Sequence, residues 1–265
     1  MTAPQSDISL QGRVAIITGA AGGLGRSMVA ALRAAGAAIA AVDVDAALGR
    51  DDPVLRPDDI LKLGADVSDE AACRDAVANT IARFGSLDIL VNCAGITGEQ
   101  PSHGPFPRFW ERESADWRRV QAINHNGAFH MAYHAVRPMI EQGRGRIVNI
   151  STSFATMVMA GMAAYGPSKA AMEASAAIWA KELAGTGVTV NVLLPGGPVA
   201  TPFVPASMAS NALLAPDVMI APLLWLASDA SGGITGKRFI ARDWDRDCPG
   251  EAAAAAIAAP AGWGG

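Results

Sequence analysis

RVAIITGAAGGLGRSMVAALRAAG, residues 13–36, is the stretch whose reading decides the fold. Its first part is a short apolar run of strand length, closed by Gly19. Glycines then crowd the connection, and the helix that begins within GGLGRSMVAALRAAG stops at Gly36. The same rhythm continues downstream. AAIAAVDVD (37–45) reads as a second buried strand and LKLGADV (61–67) as a third. A helix through EAACRDAVANTIARFG (70–85) leads to the strands LDILVNCAG (87–95), RIVNIST (146–152), VTVNVLLPG (188–196) and TGKRFIARDWD (235–245). Strands without polar alternation, separated by helix-length segments, are buried on both faces. The expected fold is therefore α/β, a doubly wound parallel sheet of about seven strands with helices on both sides.

Three stretches interrupt the rhythm. ALGRDDPVLRPDDI (47–60) reads as a surface connection, and TGEQPSHGPFPRFWERESADW (97–117) is a longer excursion rich in proline and aromatic residues. The end, GEAAAAAIAAPAGWGG (250–265), is low in complexity and reads as a frayed helix or tail. With no repeat and no linker, residues 1–265 are expected to form a single domain, with a core over about 12–240 and an atypical tail over 241–265.

Bulk properties narrow the function. Of 265 residues, 51% are hydrophobic and 17% charged, which describes an ordered globular chain. The formal charge of −4 and the lack of a Lys/Arg run argue against nucleic acid as a partner. Cys73, Cys93 and Cys248 are odd in number and lack neighbours at metal-ligand spacing, so neither a disulfide framework nor a zinc site is expected. The first residues lack the basic-then-apolar pattern of a secretory signal, and a cytoplasmic location is expected. The uncharged stretch 147–168 is long enough for a membrane, but its Asn, Ser, Thr, Gly and Pro residues mark it as protein interior.

The glycine turn carries the first chemical hint. A pyrophosphate can approach backbone N–H groups at a helix N-terminus, where the helix dipole favours negative charge, only if no Cβ obstructs it. Gly19, Gly23 and Gly25 meet that need. Asp43 ends the second strand 18 residues beyond Gly25. There a carboxylate can accept hydrogen bonds from ribose hydroxyls, and it would repel a 2′-phosphate. Val44 and Asp45 follow without a compensating arginine, so NAD is expected in preference to NADP.

With TGAAGGLG, Asp43, NCAG and YGPSK in this order, the sequence resembles the short-chain dehydrogenase/reductase family in its classical branch, over about residues 12–240. The resemblance implies a Rossmann-like fold. It also implies a cofactor site formed by Gly19, Gly23, Leu24, Gly25, Asp43, Asp66, Val67, Asn92, Ala94, Gly95, Tyr165, Lys169, Pro195, Gly196, Val199 and Thr201. INHNGAF (123–129) is similar to the segment carrying a catalytic Asn, here Asn124. Counting back 13 residues from Tyr165, the family's usual separation, reaches Thr152 where the family has a serine, and Ser153 is the alternate hydroxyl. A threonine can donate the same hydrogen bond, but its methyl group narrows the site. TGKRFIARDWD stands where the family commonly ends with an aspartate and two glycines.

A free tyrosine ionises near pH 10 (about 10) and is a poor base at neutrality, but an ammonium one helical turn away favours the phenolate. Tyr165 is thus expected to be the general acid/base and Lys169 to lower its pKa, and the family resemblance implies that Lys169 also binds the nicotinamide ribose. Thr152 would orient the substrate oxygen, and Asn124 would hold a water in a proton relay. The expected activity is NAD(H)-dependent interconversion of a secondary alcohol and a ketone. The alternatives are an NAD(P)H-dependent 3-oxo compound reductase and a catalytically impaired dinucleotide-binding regulator. Phe106, Phe109 and Trp110 are candidates for a pocket wall, and Arg108 or Arg112 for a substrate carboxylate. Met157, Met159 and Met162 are divided evenly between core and pocket. His130 and His134, at i and i+4, lack a third ligand, and no metal is expected. Family members assemble as tetramers through the helices near 114–142 and 164–184. Ala170, Ala171, Ala174 and Ala177 would permit such packing, so a homotetramer is expected.

Overall fold

A computed structural model describes residues 8–49, 51–98, 106–204 and 213–262. Strands β1 (Val14–Thr18), β2 (Ala38–Asp43), β3 (Leu61–Gly64), β4 (Ile89–Asn92), β5 (Gly145–Ile150), β6 (Val188–Leu194), β7 (Lys237–Ile240) and β8 (Ala259–Pro260) form one sheet in the order β3-β2-β1-β4-β5-β6-β7-β8. All pairings are parallel except β7 with β8.

Alternation along β1 explains the two cores. Ala15 and Ile17 face a cluster with Met28, Val29 and Leu32 of α1 (Gly23–Ala34) and Leu223 and Leu226 of α8 (Ile220–Ala227). Ile16 faces the opposite cluster. That cluster holds Cys73 and Val77 of α3 (Glu70–Phe84), Met131 and Met139 of α5 (Gly127–Glu141), and Ala176 and Ala180 of α7 (Tyr165–Glu182). Chain order reverses between β1 and β4, so the turns after these two strands diverge to opposite sides and leave a crevice at their C-terminal ends.

Two expectations change. The seventh strand stops at Ile240, where Ala241–Asp243 turns into a 3-10 helix. The C-terminal segment is built into the fold rather than frayed. α9 (Gly250–Ile257) buries Ala253 and Ala254, and β8 then closes the β7 edge through an Ala261 N–H bond to the Gly236 carbonyl at 2.9 Å. The 47–60 connection is irregular, as expected of a surface loop, yet it buries Leu55 and Ile60. Between β4 and α5 lie α4 (Ser114–Gln121) and a π-helical turn, Ala122–Asn126.

Candidate active site

The glycine turn is fixed by its neighbours. Gly19 has φ of 66° and lies so close to the turn after β4 that a Cβ would come within 2.8 Å of the Ala94 Cα. A Cβ on Gly25 would overlap the Gly19 carbonyl, and one on Gly23 would overlap the Thr201 side chain. Thr18 Oγ1 accepts from the Cys93 and Ala94 N–H groups, both at 3.1 Å, which locks β1 to β4. Asp43 accepts from Ala21 N at 3.0 Å and from Val44 N at 2.8 Å, so the carboxylate sits against the turn itself. A backbone cradle that side chains would fill, with a carboxylate at its rim, fits an adenine dinucleotide.

Three consecutive hydroxyls leave the end of β5, and the structure separates their tasks. Ser151 Oγ donates to Glu173 Oε1 at 2.6 Å. Ser153 Oγ accepts from Thr156 N at 3.1 Å and caps α6 (Phe154–Met157). Thr152 turns toward Tyr165, its hydroxyl near enough to the phenol to favour the phenolate. The structure therefore brings Thr152, not the alternate Ser153, to Tyr165. Lys169 Nζ lies 5.8 Å from the Tyr165 ring centroid and donates to the Ile150 carbonyl at 2.8 Å. Asn124 is fully buried in the π-helical turn. Its amide donates to Ile96 O at 2.8 Å and to Ser168 Oγ at 2.9 Å, and its carbonyl accepts from Ile96 N at 2.8 Å. A Cβ on Gly95 would stand 3.4 Å from Asn124 Oδ1 and 3.5 Å from Lys169 Nζ, so these groups converge above the β4 turn.

Burial dominates the electrostatics. It pushes the Tyr165 phenol up, against the opposing effect of the nearby Thr152 hydroxyl, and pushes Lys169 down to about 8. Helical spacing puts Lys169 and Tyr165 on one face, with the ammonium donating to the Ile150 carbonyl, and burial sets the direction of the phenol's shift. Cys93, beside both, is raised by burial to about 11 and is a neutral thiol at neutral pH.

The arrangement sets a hydroxyl donor, a phenol and an ammonium beside a glycine cradle at the sheet's C-terminal edge. The family profile described as short chain dehydrogenase matches residues 13–211 of this chain. The chain belongs to the short-chain dehydrogenases. D-threitol dehydrogenase of Mycolicibacterium smegmatis is 32% identical over 253 residues, covering 87% of this chain and 91% of that protein. Acetoacetyl-CoA reductase of Allochromatium vinosum is 32% identical over 245 residues, covering 84% and 94%. Among solved structures, the 3-ketoacyl-(acyl-carrier-protein) reductase of Brucella melitensis, complexed with NADH, has a TM-score of 0.78 at 29% identity, covering 87% of this chain and 96% of that one. As a short-chain dehydrogenase, the protein is an oxidoreductase acting on CH–OH groups.

Other expected site residues of this short-chain dehydrogenase fall in varied places. Leu24 is half-buried in the turn against the α1 core. The Asn92 side chain is turned into the protein, donating to Ala128 O at 3.3 Å and Asn149 Oδ1 at 2.9 Å. It ties β4 to β5 and α5 instead of reaching a ligand. Asp66 is exposed and accepts from Ser68, while the Val67 side chain packs against Gly127. Pro195 and Gly196 begin the loop after β6; Val199 is buried and bridges to Leu214, bringing Thr201 to Gly23. Arg112 cannot serve a substrate carboxylate. It is buried, paired to Asp116 at 3.0 Å and donating to Gly161 O at 2.8 Å, while the exposed Arg108 stacks on Trp110. Phe109 and Trp110 are largely exposed, and Phe106 packs at Gly161. Met157 and Met162 are core; Met159 is half-buried. His130 contacts the Val67 carbonyl at 3.1 Å and His134 the Glu70 carboxylate at 3.5 Å, and among the described residues no cluster could hold a metal. Sequence reading passed over Phe203, whose ring centroid lies 5.8 Å from that of Tyr165, and the buried Glu173 and Arg238. A glutamate four residues after Lys169 and an arginine inside an apolar strand were the available signals.

Proposed function

We propose that this protein is an NAD(H)-dependent oxidoreductase interconverting a secondary alcohol and a ketone on a hydrophobic or ring-containing small molecule. The observation that carries the reading is the convergence of Thr152, Tyr165 and Lys169, whose Nζ lies 5.8 Å from the Tyr165 ring centroid, beside the glycine cradle. Gly19, Gly23, Gly25, Asp43, Thr201 and Lys169 would hold the dinucleotide, whose nicotinamide supplies the hydride acceptor or donor. Thr152 orients the substrate oxygen. Tyr165 takes the alcohol proton in oxidation and returns it in reduction, and Lys169 with Asn124 connects that proton to solvent.

Asp43 supports NAD, since a 2′-phosphate would meet its charge and the next residues, Val44 and Asp45, bring no cation. Phe203, a partly exposed apolar side chain whose ring lies 5.8 Å from that of Tyr165, supports an apolar substrate. The similarity to acetoacetyl-CoA reductase and to the 3-ketoacyl reductase favours a second reading, reduction of a 3-oxo compound with NADH or NADPH. A cytoplasmic homotetramer completes the proposal; among the described residues no helix is long and apolar enough to cross a membrane.

The test is turnover of a panel of secondary alcohols and 3-oxo thioesters with both cofactors, for the wild type and Asp43→Ala. NAD(H) should be preferred by the wild type, and Asp43→Ala should lose at least ten-fold of that preference. Wild-type preference for NADP(H) sinks the cofactor assignment, and turnover confined to 3-oxo thioesters selects the second reading.

A further inference from the structure

The chain segment that presents Thr152 is held at each residue from Ile150 to Phe154, and at all but Ser153 by groups distant in sequence. The Ile150 carbonyl accepts from Lys169, and Ser151 donates to Glu173. The Thr152 carbonyl accepts from Arg238 Nη2 at 3.0 Å, Ser153 caps α6, and the Phe154 ring lies 4.2 Å below the Arg238 guanidinium. Only the Thr152 side chain is left to face Tyr165. Two residues supply most of these anchors. Glu173 is fully buried and Arg238 nearly so; they are joined by Nε contacts of 3.2 and 3.1 Å. A buried ion pair is costly to desolvate and is weak evidence for stability as such. Here each partner also makes a hydrogen bond to the strand end that carries the reactive hydroxyl.

We propose that Arg238 and Glu173 are positioning residues for this oxidoreductase: together they fix the backbone of Ser151–Phe154 so that Thr152 meets Tyr165. The inference rests on the function proposed above. It also gives the C-terminal segment a part in the site. Arg238 sits opposite Ala259 in the β7–β8 pairing, and Gly262 lies against Ala174 and Ala177, with the Glu173 carbonyl 3.6 Å from where its Cβ would stand. The segment thus packs against the backbone of both elements that carry the pair. Glu173 is also one helical turn from Lys169, whose other charged or titratable neighbours are Tyr165 on the same helix and Cys93 from the β4 turn, with Asn124 from the π-helical turn.

The experiment measures kcat, KM and their pH profiles on the full chain for Arg238→Met, Arg238→Lys, Glu173→Gln and the double variant Glu173→Leu/Arg238→Met. Tyr165→Phe is the control. Each single variant should lose ten- to a hundred-fold in kcat with KM for NAD(H) within three-fold of wild type, and Arg238→Lys should recover part of it. The alkaline limb should move to lower pH in Glu173→Gln, which removes a negative charge beside Lys169. It should move to higher pH in Arg238→Met, which leaves that charge uncompensated. A merely structural pair would not shift the two limbs in opposite senses. If single variants fail to fold, the double variant keeps the test open, because removing both charges at once avoids a lone buried ion. It should fold and still lose kcat. Wild-type kcat in the double variant, or in a folded Arg238→Met, overturns the proposal. Full activity in Tyr165→Phe would instead overturn the function on which it rests.

Discussion

At the scale of residues, the site holds charge where burial resists it. Lys169 is 4% exposed and its pKa falls from 10.5 to about 8. A lysine depressed in the folded state binds fewer protons there than in the unfolded chain between those two values. The penalty is fully present below pH 8 (about 8) and is relieved as pH rises toward 10.5 (about 10.5), so it weakens the fold most at neutral pH. Lys169→Met should therefore abolish turnover while costing no stability at neutral pH, with a gain of up to about 3 kcal/mol reduced by the lost bond to Ile150. Denaturant unfolding from pH 7 (about 7) to pH 10 (about 10) checks this: the advantage of the variant should shrink as pH rises. A difference that stays flat contradicts the assignment of the low pKa to Lys169. Tyr165, Lys169 and the glycine turn were legible because each has a fixed local spacing. Thr152 was legible only by counting, and nothing in the sequence said that Ser153 would be taken up as a helix cap. The anchors Glu173 and Arg238 are 65 positions apart, so their pairing appears only once the sheet is assembled.

At the scale of elements, the parallel strands and their helices followed from apolar runs and glycine stops, and the strands stand close to where those runs lie. The C-terminal segment did not follow. An alanine tract has no amphipathic pattern to read, and a two-residue strand forms by backbone bonding with no side-chain signature. Yet Ala253, Ala254 and Ala261 are buried and β8 pairs with the start of β7 at its edge of the sheet. Ending the chain after Pro249 should lower unfolding stability by at least about 2 kcal/mol, from the lost apolar contacts alone. Thermal unfolding compared with the full chain checks it, and an unchanged midpoint would mean that the segment does not pack as described. The π-helical turn carrying Asn124 was equally hidden, since one extra residue per turn leaves no compositional trace.

At the scale of the whole molecule, the described residues leave an apolar cluster exposed on α5 and α7. Phe129 and Tyr133 of α5 stand 5.7 Å apart by ring centroids, Trp179 of α7 is 6.3 Å from Phe129, and Ile178 is more than half exposed. A cluster of this kind on two adjacent helices favours association with a second copy. The small residues expected to serve that contact are partly occupied, since Ala174 and Ala177 receive the chain's own Gly262. Light scattering should give a tetramer, and Phe129→Glu with Ile178→Glu should break it into smaller species; a wild-type monomer removes the proposal. The chemistry itself stands or falls on Tyr165. The direct measurement is turnover of the best alcohol by wild type and Tyr165→Phe, with NADH binding followed by fluorescence in both. The account predicts that the variant binds NADH within a few-fold of wild type and loses at least about a hundred-fold in kcat, as expected for removal of a general acid/base. A variant that binds NADH and turns over the alcohol as fast as wild type would contradict it.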